Sequence, residues 1–264
     1  MNHEKRLGGP EGASGRLRSV FRSRVAAVGV AATLIVAVCG TVAMSVTPGA
    51  GANWGIVDRD VIRNGDAYLR TGPTFLTPGG ESVNPPLGDG SLGLRTGSSN
   101  DQTAFGNQRA FVDDLVSGLT SLGFSVFTTT ENNQLGQRNM PSIVIAIDPN
   151  LAGAPNNDTA SMIYTPQNGD ANRWTTFDAT DSTQGRVWTL AGVGAAGADC
   201  SLGSRCTWDR IQEVLEDGDG IQARIRSIKI AKLQDQAFSG AVDALIVRQN
   251  VYDFEPLGVG VSVR

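Results

Sequence analysis

Histidine is nearly missing from this chain: of 264 residues the only one is His3. Ser-His-Asp and Cys-His catalysis, histidine metal centres and histidine general acids are therefore excluded from everything downstream. Cysteine is scarce, with three in all. Charged residues make up only 18% of the chain, too few for a coiled coil or a disordered acidic tail. Apolar residues reach 40%, enough for one sizeable core. Long charge-free apolar stretches are also lacking, apart from one near the start, which excludes a multi-pass membrane protein.

That one stretch runs from Val25 to Val46, behind Arg16, Arg18, Arg22 and Arg24. A basic flank, an apolar run and then small residues is the order of an export signal. Ala50-Gly51-Ala52 fits an A-x-A cleavage site, which would leave a chain beginning at Asn53. The alternative is a retained anchor, because 22 residues suffice to cross about 30 Å of hydrocarbon. The arginines would then hold the N-terminal side in the cytoplasm. Residues 1–52 are thus read as a basic segment with a signal peptide or membrane anchor. Residues 53–264 are read as one exported domain, secreted or held at the cell envelope. Cys39 falls inside the apolar run, and Val38 before it does not suit a lipid-attachment site, so it reads as a small apolar residue.

Residues 53–264 carry 16 Lys+Arg against 24 Asp+Glu, a net charge of −8. Phosphate-rich partners require clustered positive charge. Nucleic acid and anionic lipid are therefore not expected as partners, and membrane contact is expected only through residues 25–46. Cys200 and Cys206 are the only cysteines left, and in an oxidising compartment a close pair reads as a disulfide. A zinc site would need further ligands that the histidine count does not supply.

Short apolar runs alternate with Gly, Asn, Pro and Asp turns, the pattern of an all-β sandwich or barrel. Strands are predicted at Ala67–Thr71, Ser91–Thr96, Ala104–Val112, Leu119–Thr129, Ser142–Asp148, Ser161–Thr165, Arg173–Ala179, Arg186–Ala191, Ile221–Lys232, Val242–Arg248 and Val251–Glu255. The Ser142–Asp148 run is apolar on both faces and predicts a central strand covered on both sides. The apolar phase of Ile221–Lys232 slips by one residue, which predicts a β-bulge near Arg226–Ser227. One helix is predicted, capped by Thr207, with Trp208, Ile211 and Leu215 on its buried stripe and Gly218 ending it. Gly72 to Gly90 contains four prolines and reads as a long surface loop. Leu-Arg-Thr-Gly occurs twice, at residues 69–72 and 94–97, as though two neighbouring strands ended alike.

The pieces Ala67-Tyr-Leu-Arg-Thr-Gly-Pro73, Gly90-Ser-Leu-Gly-Leu-Arg95, Ala104-Phe-Gly-Asn-Gln108, Met140-Pro-Ser-Ile-Val-Ile-Ala-Ile-Asp148, Ala241-Val-Asp-Ala-Leu-Ile246 and Val251-Tyr-Asp-Phe-Glu255 resemble a group of exported bacterial β-sandwich proteins. Their order is similar to the concanavalin A-like lectin/glucanase jelly roll, over most of residues 60–256. The resemblance implies two antiparallel sheets, chain ends close together and a concave face. It brings no catalytic residue, because the E-x-D-x-x-E or E-x-D-x-E strand pattern of the glucanases is not present.

Candidate sites follow from chemistry. A sugar platform needs an aromatic face beside polar groups. Trp174 with Asp178, and Trp188, are the candidates. Asp253 and Glu255 share one strand face, and with Asp243 they form a candidate structural calcium site. The turn Asp217-Gly218-Asp219-Gly220 is a second one. The function expected is a non-catalytic exported β-sandwich that binds polysaccharide or another cell-surface component. The alternatives are a glycan-active enzyme and a purely structural envelope protein. Amino-terminal sequencing of exported protein is expected to begin at Asn53; a chain starting at Met1 in the membrane fraction would establish the anchor instead.

Overall fold

A computed structural model describes residues 51–130, 132, 139–151, 159–185, 187–193, 199–216 and 220–264. The apolar run at 25–46, read as a signal or anchor, Cys39, Arg186 and the turn residues 217–219 lie outside the described residues. In chain order the strands are β1 (Trp54–Ile56), β2 (Asp66–Thr71), β3 (Phe75–Leu76), β4 (Ser82–Val83), β5 (Gly90–Thr96), β6 (Thr103–Asn107), β7 (Leu122–Phe127), β8 (Ser142–Asp148), β9 (Ala160–Tyr164), β10 (Trp174–Asp178) and β11 (Trp188–Ala191). Helix α1 (Trp208–Leu215) follows, and then β12 (Arg224–Lys232), β13 (Phe238–Val247), β14 (Asn250–Glu255) and β15 (Gly258–Val263).

Apart from β3 and β4, which pair only with each other, these strands form two antiparallel sheets that share one core, a sandwich-like arrangement. Sheet one has the order β1-β6-β12-β8-β9-β11. Sheet two runs β10-β7-β13 and then forks. Phe238–Val242 of β13 pairs with β5, which is extended by β2. Leu245–Val247 pairs with β14, which is extended by β15. Between the two segments the pairing of β13 with β7 slips: Asp243 faces Ser125, but Ile246 faces Gly123. Ala244 adopts φ 51° there, so the extra residue is taken up in a left-handed bulge.

Strand β8 lies between β12 and β9, covered on both faces as its composition requires. Ile143, Ile145 and Ile147 enter the main core. Val144 joins Val57, Ala104 and Ala231 in a second apolar cluster on the other face. The bulge in β12 falls between Ile225 and Ser227, where the phase slip puts it. It turns Arg226 toward Asp113 and Asp148, each held at 2.6 Å.

Helix α1 starts at its Thr207 cap, whose Oγ1 accepts from the Arg210 N–H at 3.3 Å. It ends at Leu215, before the expected Gly218. Trp208, Ile211 and Leu215 are buried. The Cys200–Cys206 disulfide is present. Its job is local: Cys206 exchanges two backbone hydrogen bonds with Trp188, 2.9 and 3.0 Å, and so closes the outer edge of β11.

Several boundaries differ from the sequence reading. The strand read to Val112 stops at Asn107, whose side-chain Oδ1 accepts from the Arg109 and Ala110 amides and turns the chain. The strand read from Val242 begins at Phe238, because β5 supplies a partner for that half. Strands β1 and β15 were not anticipated. The two Leu-Arg-Thr-Gly segments do lie on neighbouring strands, β2 and β5, but at opposite ends of an antiparallel pair.

Trp54 closes one end of the core, 5.0–6.4 Å from the rings of Phe105, Phe111, Tyr252 and Phe254. It therefore ties β1 of sheet one to β14 of sheet two, two residues after the expected cleavage point. Trp54→Ala is expected to lose about 3–5 kcal/mol in urea unfolding; a loss under about 1 kcal/mol would remove this role for the ring.

Candidate binding face

The two tryptophans read as sugar platforms belong to different sheets. Trp188, on sheet one, has no exposed surface. Its ring lies 5.4 Å from Tyr164 and 5.1 Å from Trp208, and its indole N–H donates to the Ala179 carbonyl at 2.8 Å. It is a core residue, which corrects the platform expectation. The reason was legible: Leu190, two residues on, shares its face and is buried too.

Trp174 points the other way. On β10 it faces Phe127 across the strand pair, on the outer side of sheet two. Thr176 and Asp178 follow on the same side and are exposed, while Phe177 enters the core. Trp174 is only partly exposed, and its N–H is committed to the Pro73 carbonyl at 3.1 Å.

That contact leads to the segment read as a long surface loop. Residues 72–89 lie as a strap over the outer face of sheet two. Near its start, Pro73 bonds Trp174, and Phe75 on the small β3–β4 hairpin sits 6.0 Å under the Arg173 guanidinium. At its base the Gly72 N–H donates to the Asp89 carbonyl at 2.8 Å, and the Ser91 hydroxyl donates to the Gly72 carbonyl. At its far end carboxylates from two strands hold it. Asp243 Oδ2 accepts from the Leu87 N–H at 2.9 Å. Glu255 Oε1 accepts from the Asp89 and Gly90 N–H groups at 3.0 and 3.2 Å. Ser125, Phe127 and Ala241 are buried on this outer face, outside the inter-sheet core.

The residues read as a cation site are thus brought close together, but mainly as anchors for backbone. Asp243 is fully buried, and both its oxygens are used, the second by the Phe254 N–H at 3.2 Å. Burial pushes its pKa up to about 7, with the nearby Asp253 charge adding and the backbone N–H bonds opposing. Asp253 rises to about 6, through burial first and the Glu255 charge second. Its Oδ1 is enclosed and accepts no hydrogen bond among the described residues. Among those residues no three acidic side chains are arranged to ligate one cation.

Beside the strap's far end a cleft of about 400 Å³ opens, walled by Leu87, Gly88, Asp253, Glu255, Leu257 and Gly260. Gly88 has φ 58°, and a Cβ there would overlap the Glu255 carboxylate and lie 3.7 Å from Asp253 Oδ2. No other residue fits that corner, and both carboxylates converge on it. The sequence reading found the acids and the outward Trp174; it did not find the strap, whose partners lie more than 150 positions away in the chain.

Two raised carboxyl pKa values make stability depend on pH. Each group contributes stability that is complete below its ordinary pKa near 4 and is lost as pH climbs through its folded value. Thermal melts from pH 4 to 8 are expected to show wild type losing about 2–4 °C relative to Asp253→Asn, or ~1 kcal/mol for a half-exposed, screened group. Parallel curves would refute the assignment. Set beside known proteins, the chain matches no family model, no curated protein and no solved structure.

Proposed function

We propose that residues 53–264 are an exported, non-catalytic binding module that works at or beyond the cell envelope and grips polysaccharide on the outer face of sheet two. The observation that carries this reading is the cleft beside the strap, where Asp253 and Glu255 converge next to an apolar wall. Carboxylates in a concave, partly apolar seat accept hydroxyl donors well. Net charge favours a neutral or cationic glycan over an anionic one. A disulfide beside an edge strand suits an oxidising compartment. We propose further that the architecture is of the concanavalin A-like jelly-roll class, a reading with which two antiparallel sheets of non-sequential neighbours around one core agree.

One observation favours a second reading, a glycan hydrolase. Both carboxylates approach Gly88 from β14, a Glu255 oxygen and Asp253 Oδ2 lying at the same corner, and paired acids on one face are what a retaining glycosidase uses. Asp253, raised to about 6, is the one suited to give a proton. Against this, Glu255 already accepts two backbone N–H bonds through one oxygen.

A glycan array run with turnover assays on the same polysaccharides separates the readings. Retention without turnover is expected, weakened about 10- to 100-fold by Glu255→Gln or Asp253→Asn and weakened by Trp174→Ala. Turnover abolished by the two carboxylate variants would establish the hydrolase. Silence in both assays would overturn both and leave a structural envelope protein.

A further inference from the structure

A sheet edge offers unpaired backbone groups to any chain that can lie beside it, and folds usually blunt it. The other edges of the two sheets are blunted. Cys206 closes β11, β1 runs only three residues, β2 carries Asp66 and Arg70, and β10 carries Asp178 and follows Arg173. The edge of β15 is different. It reads Gly-Val-Gly-Val-Ser-Val, with no charge, no proline and no bulge against β14. The Arg264 N–H donates to the Gln249 carbonyl at 2.8 Å. Even-numbered residues of β15 therefore bond β14, and odd-numbered ones turn their N–H and C=O away from it. A Cβ on Gly51 would overlap the Val259 carbonyl, so Gly51 already covers that group. The outward groups of Val261 and Val263 meet no partner among the described residues. The Val263 side chain next to them is 72% exposed.

We propose that a second copy of this chain takes that edge: two β15 strands pair antiparallel about a two-fold axis at Ser262, and Arg264 of each copy lies over Gly260 of the other to meet Asp253. The pairing is a property of the edge; that the paired clefts grip one polysaccharide rests on the reading of this face given above.

Only odd-numbered residues have bonds to exchange, so odd must face odd. Setting Val261 against Val263 of the other copy puts Ser262 opposite its counterpart and Arg264 opposite Gly260. Asp253 is the β14 partner of Gly260, so all three share the outer face. Gly260 puts no side chain in the way, and the Cα atoms of Arg264 and Asp253 stand about 10 Å apart across the two strand spacings, within reach of an arginine. Neither residue has an ion pair among the described residues. A slip of the register by two residues would bring Arg264 to Gly258 and Glu255, whose carboxylate already holds two strap amides, and would call on the Val259 carbonyl that Gly51 covers. On the opposite face, Val261 of the second copy covers the exposed Val263. The two-fold axis stands perpendicular to the sheet and keeps both outer faces on one side, so the two clefts lie side by side. A repeating polymer that enters both gains from the second contact being intramolecular.

Cross-linking and sedimentation velocity on the full chain test the pairing. Facing Ser262 positions form a non-hydrogen-bonded pair with Cα atoms about 4.5 Å apart, a span that a disulfide bridges. Ser262→Cys is expected to give a covalent dimer under mild oxidant, while the unsubstituted chain, the control for Cys39, gives none. Wild type is expected to sediment as a dimer at about 50 µM. Arg264→Glu, which sets like charges together twice in each dimer, is expected to weaken it at least about tenfold. Val261→Pro removes an outward N–H that β14 does not use, and is expected to be monomeric. A wild-type monomer at that concentration, no covalent Ser262→Cys dimer, or a dimer indifferent to Arg264→Glu would each overturn the proposal. Should Val261→Pro not fold, the other variants decide. Wild type is expected to hold a long polysaccharide about 10- to 100-fold more tightly than Val261→Pro, and a short oligosaccharide equally. A dimer that retains no glycan would keep the pairing and remove the ligand reading; a monomer that retains glycan would do the reverse.

Discussion

The burial of Asp243 is the constraint on which this structure turns. The side chain stands where β13 exchanges β5 for β14, next to the bulge that makes the exchange possible. A strand that forks leaves backbone N–H groups facing a gap, and a buried N–H without an acceptor is costly. Asp243 supplies two acceptors at that point, one for Phe254 of the incoming strand and one for Leu87 of the strap. An apolar residue would leave both donors unpaired. A carboxyl group at this position resolves the hydrogen-bond problem and creates an electrostatic one, and the raised pKa of Asp243 follows from its burial.

What the amino-acid order made legible was whatever depends on neighbours along the chain. The Ile143–Ile147 run, the phase slip before Ile228 and the Thr207-capped stripe all act over a few residues, and all three appear where they were read. Fold class followed from the same local signals. Boundaries failed where a distant partner decides them: β13 starts early because β5 is there to pair with it, and β15 reads poorly because Gly258 and Gly260 have low strand propensity, overridden by pairing with β14. For the candidate site, the alternation that puts Asp253 and Glu255 on one face was visible. The approach of Gly88 was not, because no local pattern announces a contact across 166 or so positions. Trp188 shows the opposite failing, a polar-looking setting that concealed a core residue whose neighbour Leu190 pointed the right way.

The two ends of the sandwich are closed by different physics. At the end that holds Trp54, five aromatic rings fill the space between the sheets, and apolar burial does the work without directional bonds. At the β11 edge, the disulfide and a pair of backbone hydrogen bonds hold Cys206 to Trp188, so the closure there is covalent and directional.

The acidic corner spends several of its carboxylate oxygens on backbone N–H groups. Calcium needs six to eight oxygens, most of them free to turn toward it. Asp243 has none to give, and Glu255 has committed one oxygen to two strap amides. The strap's N–H groups meet Asp243 and Glu255, and they bring partial charges where a calcium ion would bring two full ones. Partial charges offset only part of the cost of seating the Asp243 carboxyl group out of water, and the remainder shows as its raised pKa.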